Sequence, residues 1–309
     1  MAIKRLAFVS IIFTYVLIVF GGYVASSNSG MGCGPDWPLC NGLFIPILKG
    51  ATLIEFTHRV IGASLGLLTM ILFILILRAN GLGKVRNVAW GMMFLLTIQV
   101  LLGAVVVLLD TPATIVSIHL LIAMFFLYSL LWIFRNSEGG TFQNHFEKKG
   151  AFPKTLSRHL HIVMILLVLT LAFGAYIKHL SYGLACGWLE CGDTFLPISR
   201  SELFQSIHRG LAMVSVVYIL VLGIWSIRDK WDSNLQKRML LAALIAIVQM
   251  LVGIITVATS LQLPWAVLHL AIGTAVFASI SETQIYLSHE RARWSIKVNT
   301  SNQYPSMKK

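Results

Sequence analysis

The chain has 309 residues, 57% of them hydrophobic and only 12% charged, where a soluble domain carries about 25% charged residues. That composition excludes a globular enzyme built on one large core and points to an integral membrane protein. The formal net charge of +12 would suit a nucleic-acid partner, but the placement of the basic residues makes it a topology signal, and no nucleic acid is expected.

Eight uncharged runs are long enough to cross about 30 Å of hydrocarbon: roughly 6–24, 56–77, 89–109, 114–134, 160–177, 206–227, 239–260 and 265–287. They are continuous rather than alternating, which predicts helices and not a barrel. The first run resembles a signal peptide in position but lacks a small-residue cleavage site, and is read as retained. Lys4 and Arg5 precede the first span. Arg78, Lys84 and Arg86 follow the second, and Arg135, Lys148, Lys149, Lys154 and Arg158 the fourth. Arg228, Lys230, Lys237 and Arg238 follow the sixth, and Arg291, Arg293, Lys297, Lys308 and Lys309 the eighth. Nineteen of the 24 basic residues thus fall on one side. The positive-inside rule makes that side cytoplasmic, with both termini on it.

The chain is duplicated. His58 and His119 are 61 residues apart, as are His208 and His269, and each of the second pair lies 150 residues after its counterpart. Phe20-Gly21-Gly22-Tyr23-Val24 matches Phe173-Gly174-Ala175-Tyr176-Ile177. Phe44 and Pro46 match Phe195 and Pro197, and Gln99, Leu101, Gly103 and Val107 match Gln249, Leu251, Gly253 and Val257. Each half has an even number of spans, so the halves keep one orientation, related by an axis along the membrane normal. The expected organisation is an N-terminal four-helix half over 1–134, a cytoplasmic linker over 135–158, a C-terminal four-helix half over 159–289 and a cytoplasmic tail over 290–309.

All four cysteines lie in the first outer loop of a half: Cys33 and Cys40, then Cys186 and Cys191. Even pairs on an oxidising face fit one disulfide per loop. A redox role for Cys33 and Cys40, or zinc held by the four thiols, is the other reading. Trp37, in the turn-rich first loop, reads as an interface anchor or a lid over a cofactor.

The four histidines open spans two, four, six and eight, so they sit at one depth in the outer half of the membrane. An intramembrane histidine is by default a functional residue. Four positions after each comes a small residue (Gly62, Ala123, Ala212, Gly273) on the same helix face. Close helix packing accounts for small residues but not for the histidines. A planar macrocycle ligated axially by two histidines accounts for both. Zinc or copper would call for more ligands. Arg59 and Arg209 follow their histidines and are read either as contacts for haem propionates or as charges reaching the interface. Gln99 and Gln249 are read as helix–helix hydrogen-bonding residues, and His145, His159, His161, His179 and His289 as interface or surface residues.

One difference breaks the symmetry. Glu55, one turn before His58, has Gln205 as its counterpart. A carboxylate beside an intramembrane site is costly unless used or paired. It is read either as a proton acceptor or charge stabiliser at the first site, or as a helix-start acid paired with Arg59.

Gly30-Met31-Gly32-Cys33-Gly34-Pro35-Asp36-Trp37-Pro38-Leu39-Cys40, Glu55-Phe56-Thr57-His58-Arg59, Gln99 to Gly103, His119, His208-Arg209 and His269 together resemble the haem A synthase family, in its bacterial type with a cysteine pair in the outer loop. The resemblance covers about residues 6–287. It implies an all-α integral membrane fold of eight transmembrane helices in two pseudo-symmetric four-helix bundles. The activity implied is oxidation of a methyl of haem O to a formyl group, giving haem A for a haem-copper oxidase. Carried over residue by residue, it makes His58 and His119 the axial ligands of the substrate haem and His208 and His269 those of a haem b cofactor. Glu55 becomes the catalytic acid, Cys33–Cys40 a pair that matters for activity or electron transfer, and Cys186–Cys191 a structural one. Haem O synthase and the haem-copper oxidase assembly are its implied partners. A quinone or another electron acceptor, and a homo-oligomer, are compatible with it. The location implied is a bacterial cell membrane. The alternative, which the histidines alone permit, is a two-haem membrane cytochrome passing electrons to or from quinone. A transporter of parallel repeats would want polar residues near the bilayer midplane, and these histidines lie toward the outer face.

Overall fold

The computed structural model describes residues 1–137, 153, 155–187, 191 and 197–303, with the backbone alone over 293–303. The pairing of Phe44 with Phe195, the surface reading of His145, most of the linker 135–158 with Lys148, Lys149 and Lys154, and Lys308 and Lys309 fall outside the described residues, as do the side chains of Arg293 and Lys297.

Among the described residues there are eight helices and no β-strand beyond isolated bridges such as Cys40–Leu43. They are α1 Ala2–Ser26, α2 Gly50–Arg78, α3 Gly83–Leu108, α4 Ala113–Asn136, α5 Leu156–His179, α6 Arg200–Arg228, α7 Ser233–Ala258 and α8 Leu263–Gln303. Each is long and apolar enough to cross a membrane. A chain in hydrocarbon has no water to satisfy its amides, so uninterrupted apolar runs close their hydrogen bonds within a helix. The helices overrun the uncharged runs by several residues. Lys84 and Arg86 lie inside α3, Arg200 and Glu202 inside α6, Lys237 and Arg238 inside α7. A charge ends the hydrocarbon-compatible stretch without ending the helix. For the same reason α8 runs on to Gln303, so residues 290–303 continue the helix.

Helices α1 to α4 pack as a closed ring, α1 on α2, α2 on α3, α3 on α4 and α4 on α1. Helices α5 to α8 close in the same order. The rings meet where α1 packs on α8 and where α4 packs on both α5 and α8. Local geometry repeats with the sequence. The α3–α4 turn passes through positive φ at Asp110 and Thr111 (both 55°), and the α7–α8 turn does so at Ser260 (53°) and Leu261 (62°). The amide of the second residue in each turn returns to a helix carbonyl, Thr111 to Val106 at 2.7 Å and Leu261 to Thr256 at 2.8 Å.

Packing is uneven along the membrane normal. In the first ring the buried cluster comprises residues such as Ala7, Leu72, Ile76, Met92, Leu130 and Ile133. In the second it includes Leu160, Ile219, Met239, Ala246, Phe277 and Ile280. Both gather from mid-helix toward the end that carries the basic residues. At the opposite end, beneath the disulfide loops, the histidines stand where these clusters stop.

Candidate functional site

Each half carries a loop clamped to its second helix. Cys33–Cys40 and Cys186–Cys191 are disulfides with Cα–Cα distances of 4.3 and 4.2 Å. No cysteine is left free, which removes zinc held by four thiolates. In the first loop the Cys33 amide donates to Glu55 Oε2 at 2.8 Å. The other carboxylate oxygen accepts from Arg59 Nε at 3.1 Å and Nη2 at 2.5 Å. Arg59 Nη1 reaches on to the Leu39 carbonyl at 2.8 Å. Gly32 needs its missing side chain, because a Cβ there would lie 2.3 Å from the Ala51 carbonyl group in the first turn of α2.

The second loop makes the same attachment with different chemistry. The Cys186 amide donates to Gln205 Oε1 at 2.5 Å, and Gln205 Nε2 donates to the Gly183 carbonyl at 2.6 Å. Arg209 donates to the Gly187 carbonyl at 2.8 Å and the Cys186 carbonyl at 3.2 Å. Glu55 and Gln205 are 4% and 2% exposed, and buried polar groups need such partners. In this state Glu55 is paired with Arg59, and both arginines are bound to loop carbonyls.

Below the loops, His58 and His119 stand near the loop ends of α2 and α4, and His208 and His269 near the same ends of α6 and α8. The rings remain half-buried. Each histidine faces a glycine on a neighbouring helix. A Cβ would fall 3.1 Å from His58 Nε2 at Gly21 and 3.4 Å from His119 Cε1 at Gly103. It would fall 2.8 Å from His208 Cε1 at Gly174 and 2.9 Å from His269 Cε1 at Gly253. The small residues singled out in the sequence do other work. A Cβ at Gly62 would meet Leu17 at 3.8 Å, one at Gly273 would meet Gln249 Nε2 at 3.0 Å, and Ala123 is buried in the core. The ring-facing glycines belong to the repeated Phe-Gly and Gln-to-Gly motifs, and the repeat itself was the signal that could have identified them.

A histidine that ligates a metal donates its other ring N–H to a fixed neighbour. Three of the four have one within reach. His208 Nδ1 donates to the Thr170 carbonyl at 3.0 Å. Gln99 Nε2 lies 3.0 Å from His119 Nε2, and Gln249 Nε2 lies 3.2 Å from His269 Nδ1. The glutamines are therefore partners of the histidines rather than only links between helices. Gln99 Oε1, Gln249 Oε1 and His119 Nδ1 are buried without a partner. Turning either amide round would put its oxygen against the imidazole, where it can accept a ring N–H. Two imidazoles per half, each given room by a glycine, and unspent polar atoms beside them fit residues that would hold a haem through histidine nitrogen. Among the described residues no cluster of three or more His, Cys, Asp or Glu could hold a bare metal ion.

The remaining histidines stay outside these pairs. His159 Nδ1 is 2.8 Å from the Tyr218 hydroxyl, exposed His161 bonds the Ser157 carbonyl at 2.6 Å, and His289 lies 3.6 Å from Glu290. Trp37 is an exposed loop residue.

Comparison with known proteins gives this arrangement a family. The chain is 31% identical to a heme A synthase of Symbiobacterium thermophilum over 231 residues, covering 72% of this chain and 75% of that protein. It is 28% identical to one from Bacillus licheniformis over 276 residues, covering 87% and 90%. It is 29% identical to one from Bacillus cereus over 285 residues, covering 89% and 90%. The family described as cytochrome oxidase assembly protein matches residues 4–281, a stretch that takes in both disulfide loops and all four histidines, and the chain belongs to that family.

Proposed function

We propose that this protein is a haem A synthase, an oxidoreductase that converts the methyl group of haem O into the formyl group of haem A within the membrane. The observation that carries the reading is the duplicated histidine pair, each imidazole packed against a glycine whose missing side chain leaves room for the ring, in a chain whose relatives bear that name.

In this reading His58 and His119 hold the substrate, and His208 and His269 hold a resident haem b. When bound, that haem supplies a redox-active iron whose electronics the protein tunes through ligand identity and burial. Gln99, Gln249 and the Thr170 carbonyl orient the imidazoles of His119, His269 and His208 and fix which nitrogen each one offers. Glu55 anchors the first loop over the substrate pair and serves as the acid of that site, accepting a proton or offsetting charge as the methyl is oxidised. Gln205 anchors the second loop without a charge. Arg59 and Arg209 carry N–H donors beyond those spent on the loops and suit haem propionates. The Cys33–Cys40 and Cys186–Cys191 loops lie on the outer face of a bacterial cell membrane, and both termini are cytoplasmic. Haem O synthase supplies the substrate, a haem-copper oxidase receives the product, and a quinone or another acceptor takes the electrons.

The test is extraction of haem from protein purified out of cells that make haem O. Haem A is expected from the wild type, and haem O without haem A from Glu55→Gln, which keeps an acceptor for the Cys33 amide but loses the charge. Wild-type protein carrying haem yet forming no haem A would leave a membrane cytochrome. Loss of the haem b spectrum in His208→Ala is expected, and its persistence would reverse the assignment of the halves.

A further inference from the structure

A groove opens on the membrane-facing side of the contact between α1 and α8, beside the first histidine pair. It holds about 380 Å³ and is lined by Tyr15, Val16, Val19, Phe20 and Tyr23 of α1 and Val267 and Ala271 of α8. Its lining is apolar in effect, because the Tyr15 hydroxyl is already spent on the Ala271 carbonyl at 3.0 Å. Phe20 joins the groove to the histidines. Its ring stacks on Tyr23 with centroids 5.9 Å apart and faces His58 with centroids 6.1 Å apart. At Gly22 the helices come so close that a Cβ would lie 2.3 Å from Leu270 Cδ2.

The two halves differ in sequence at this place, larger at one position and smaller at two others. At the corresponding positions in the second half, Leu121 stands for Ala271, Ser117 for Val267 and Ala172 for Val19. The larger Leu121 falls where Ala271 leaves room. Two haem sites on one scaffold must be told apart. Haem O differs from a b-type haem by its long farnesyl chain, which carries no polar atom beyond its attachment point. An apolar groove adjoining the first histidine pair, with leucine in place of Ala271 at the corresponding position beside the other, can distinguish the two by that chain.

We propose that the α1–α8 groove receives the isoprenoid tail of the haem held by His58 and His119, and so makes the first site selective for the tailed substrate. The proposal rests on the reading of that pair as the substrate site. Inside a membrane the tail gains little from leaving lipid, so the selectivity comes from fit and packing and is modest in size.

The test uses purified wild-type protein with its resident haem in place, titrated with haem O and separately with protohaem, and followed by the absorbance of the newly ligated haem. Wild type is expected to prefer haem O by roughly tenfold, the equivalent of about 1.4 kcal/mol. Ala271→Leu, which writes in the second half's residue, is expected to bring the two affinities to near parity with protohaem binding unchanged. Met93→Phe fills a separate groove between α2 and α3, lined also by Met70, Trp90 and Phe94, and is expected to leave the preference intact. The unchanged resident-haem spectrum reports that each variant is folded. Equal affinities in wild type, or an undiminished preference in Ala271→Leu, would overturn the groove while leaving the substrate site standing. Phospholipid that copurifies with wild type and is lost in Ala271→Leu without any change in haem preference would overturn it in favour of a lipid chain. Wild type that ligates neither haem would overturn the substrate-site reading and the groove together.

Discussion

At Gly174 one hydrogen in place of a methyl leaves room for the His208 imidazole, since a Cβ would lie 2.8 Å from Cε1 and 3.3 Å from Nδ1. That nitrogen is the one bonded to the Thr170 carbonyl at 3.0 Å, so a methyl would disturb the ring and its orienting bond together. Gly174→Ala is expected to abolish or weaken the second-site haem spectrum at least tenfold in affinity. Gly210→Ala, where an added Cβ would meet nothing within 4 Å, is expected to keep that spectrum and to gain up to about 1 kcal/mol in helix propensity. Reconstitution with haem, read by absorbance, checks both. At this scale the histidines were legible because imidazole is rare in apolar runs, whereas Gly174 was only a matched letter. Glu55 and Gln205 show the converse. The sequence marked their difference, and the structure adds what they share, each accepting the amide of the first cysteine in its loop.

The elements are set by two different chemistries. Helices form wherever the chain must hide its amides from lipid, and their ends are settled by local groups. Helix α6 begins with a capping box in which Ser199 and Glu202 bond each other's backbone, whereas α2 begins at Lys49 with no side-chain cap. The start of α2 is held instead by the loop above it, with Thr52 donating to the Gly32 carbonyl at 2.7 Å. That loop depends on its disulfide, which joins residues seven apart in sequence. Closing so short a loop constrains the unfolded chain by about 2–3 kcal/mol. Replacing Cys33 and Cys40 together by Ser is expected to cost about that much in detergent unfolding and to speed proteolysis between residues 30 and 48. Unchanged stability and unchanged proteolysis would show that Glu55 and Arg59 hold the loop without the disulfide.

In the whole molecule, two four-helix rings share a wall made by α1, α4, α5 and α8. Opposite ends of that wall are pinned differently. Near the loops, Lys178 of α5 donates to the Ala25 carbonyl of α1 at 2.8 Å. At the basic end, Glu282 of α8 accepts from Arg135 of α4 and from Arg238 of α7. Tyr286 lies beneath both guanidinium groups, 5.3 and 4.5 Å from ring centroid to Cζ. Glu282 thus ties α4 of the first ring to α7 and α8 of the second. Removing it takes a shared counter-charge from two partly buried cations. Glu282→Ala is expected to destabilise the protein by about 1–3 kcal/mol, discounted for partial exposure, and to lower its unfolding temperature in detergent. Arg135→Ala, which leaves Glu282 with Arg238, is expected to cost less, and no loss of stability in either variant would show that α4 is held by packing alone. The sequence by itself determined the eight spans, the duplication, the histidine pairs and the Glu55–Gln205 difference. These follow from composition and spacing, which hydrocarbon and a repeated chain fix one segment at a time. Only the tertiary structure decided which glycine faces which histidine, that Gln99 and Gln249 turn toward the imidazoles, and that a groove beside Phe20 opens between α1 and α8. Those depend on how helices from different parts of the chain rotate against one another, and that rotation is set by side chains distant in sequence.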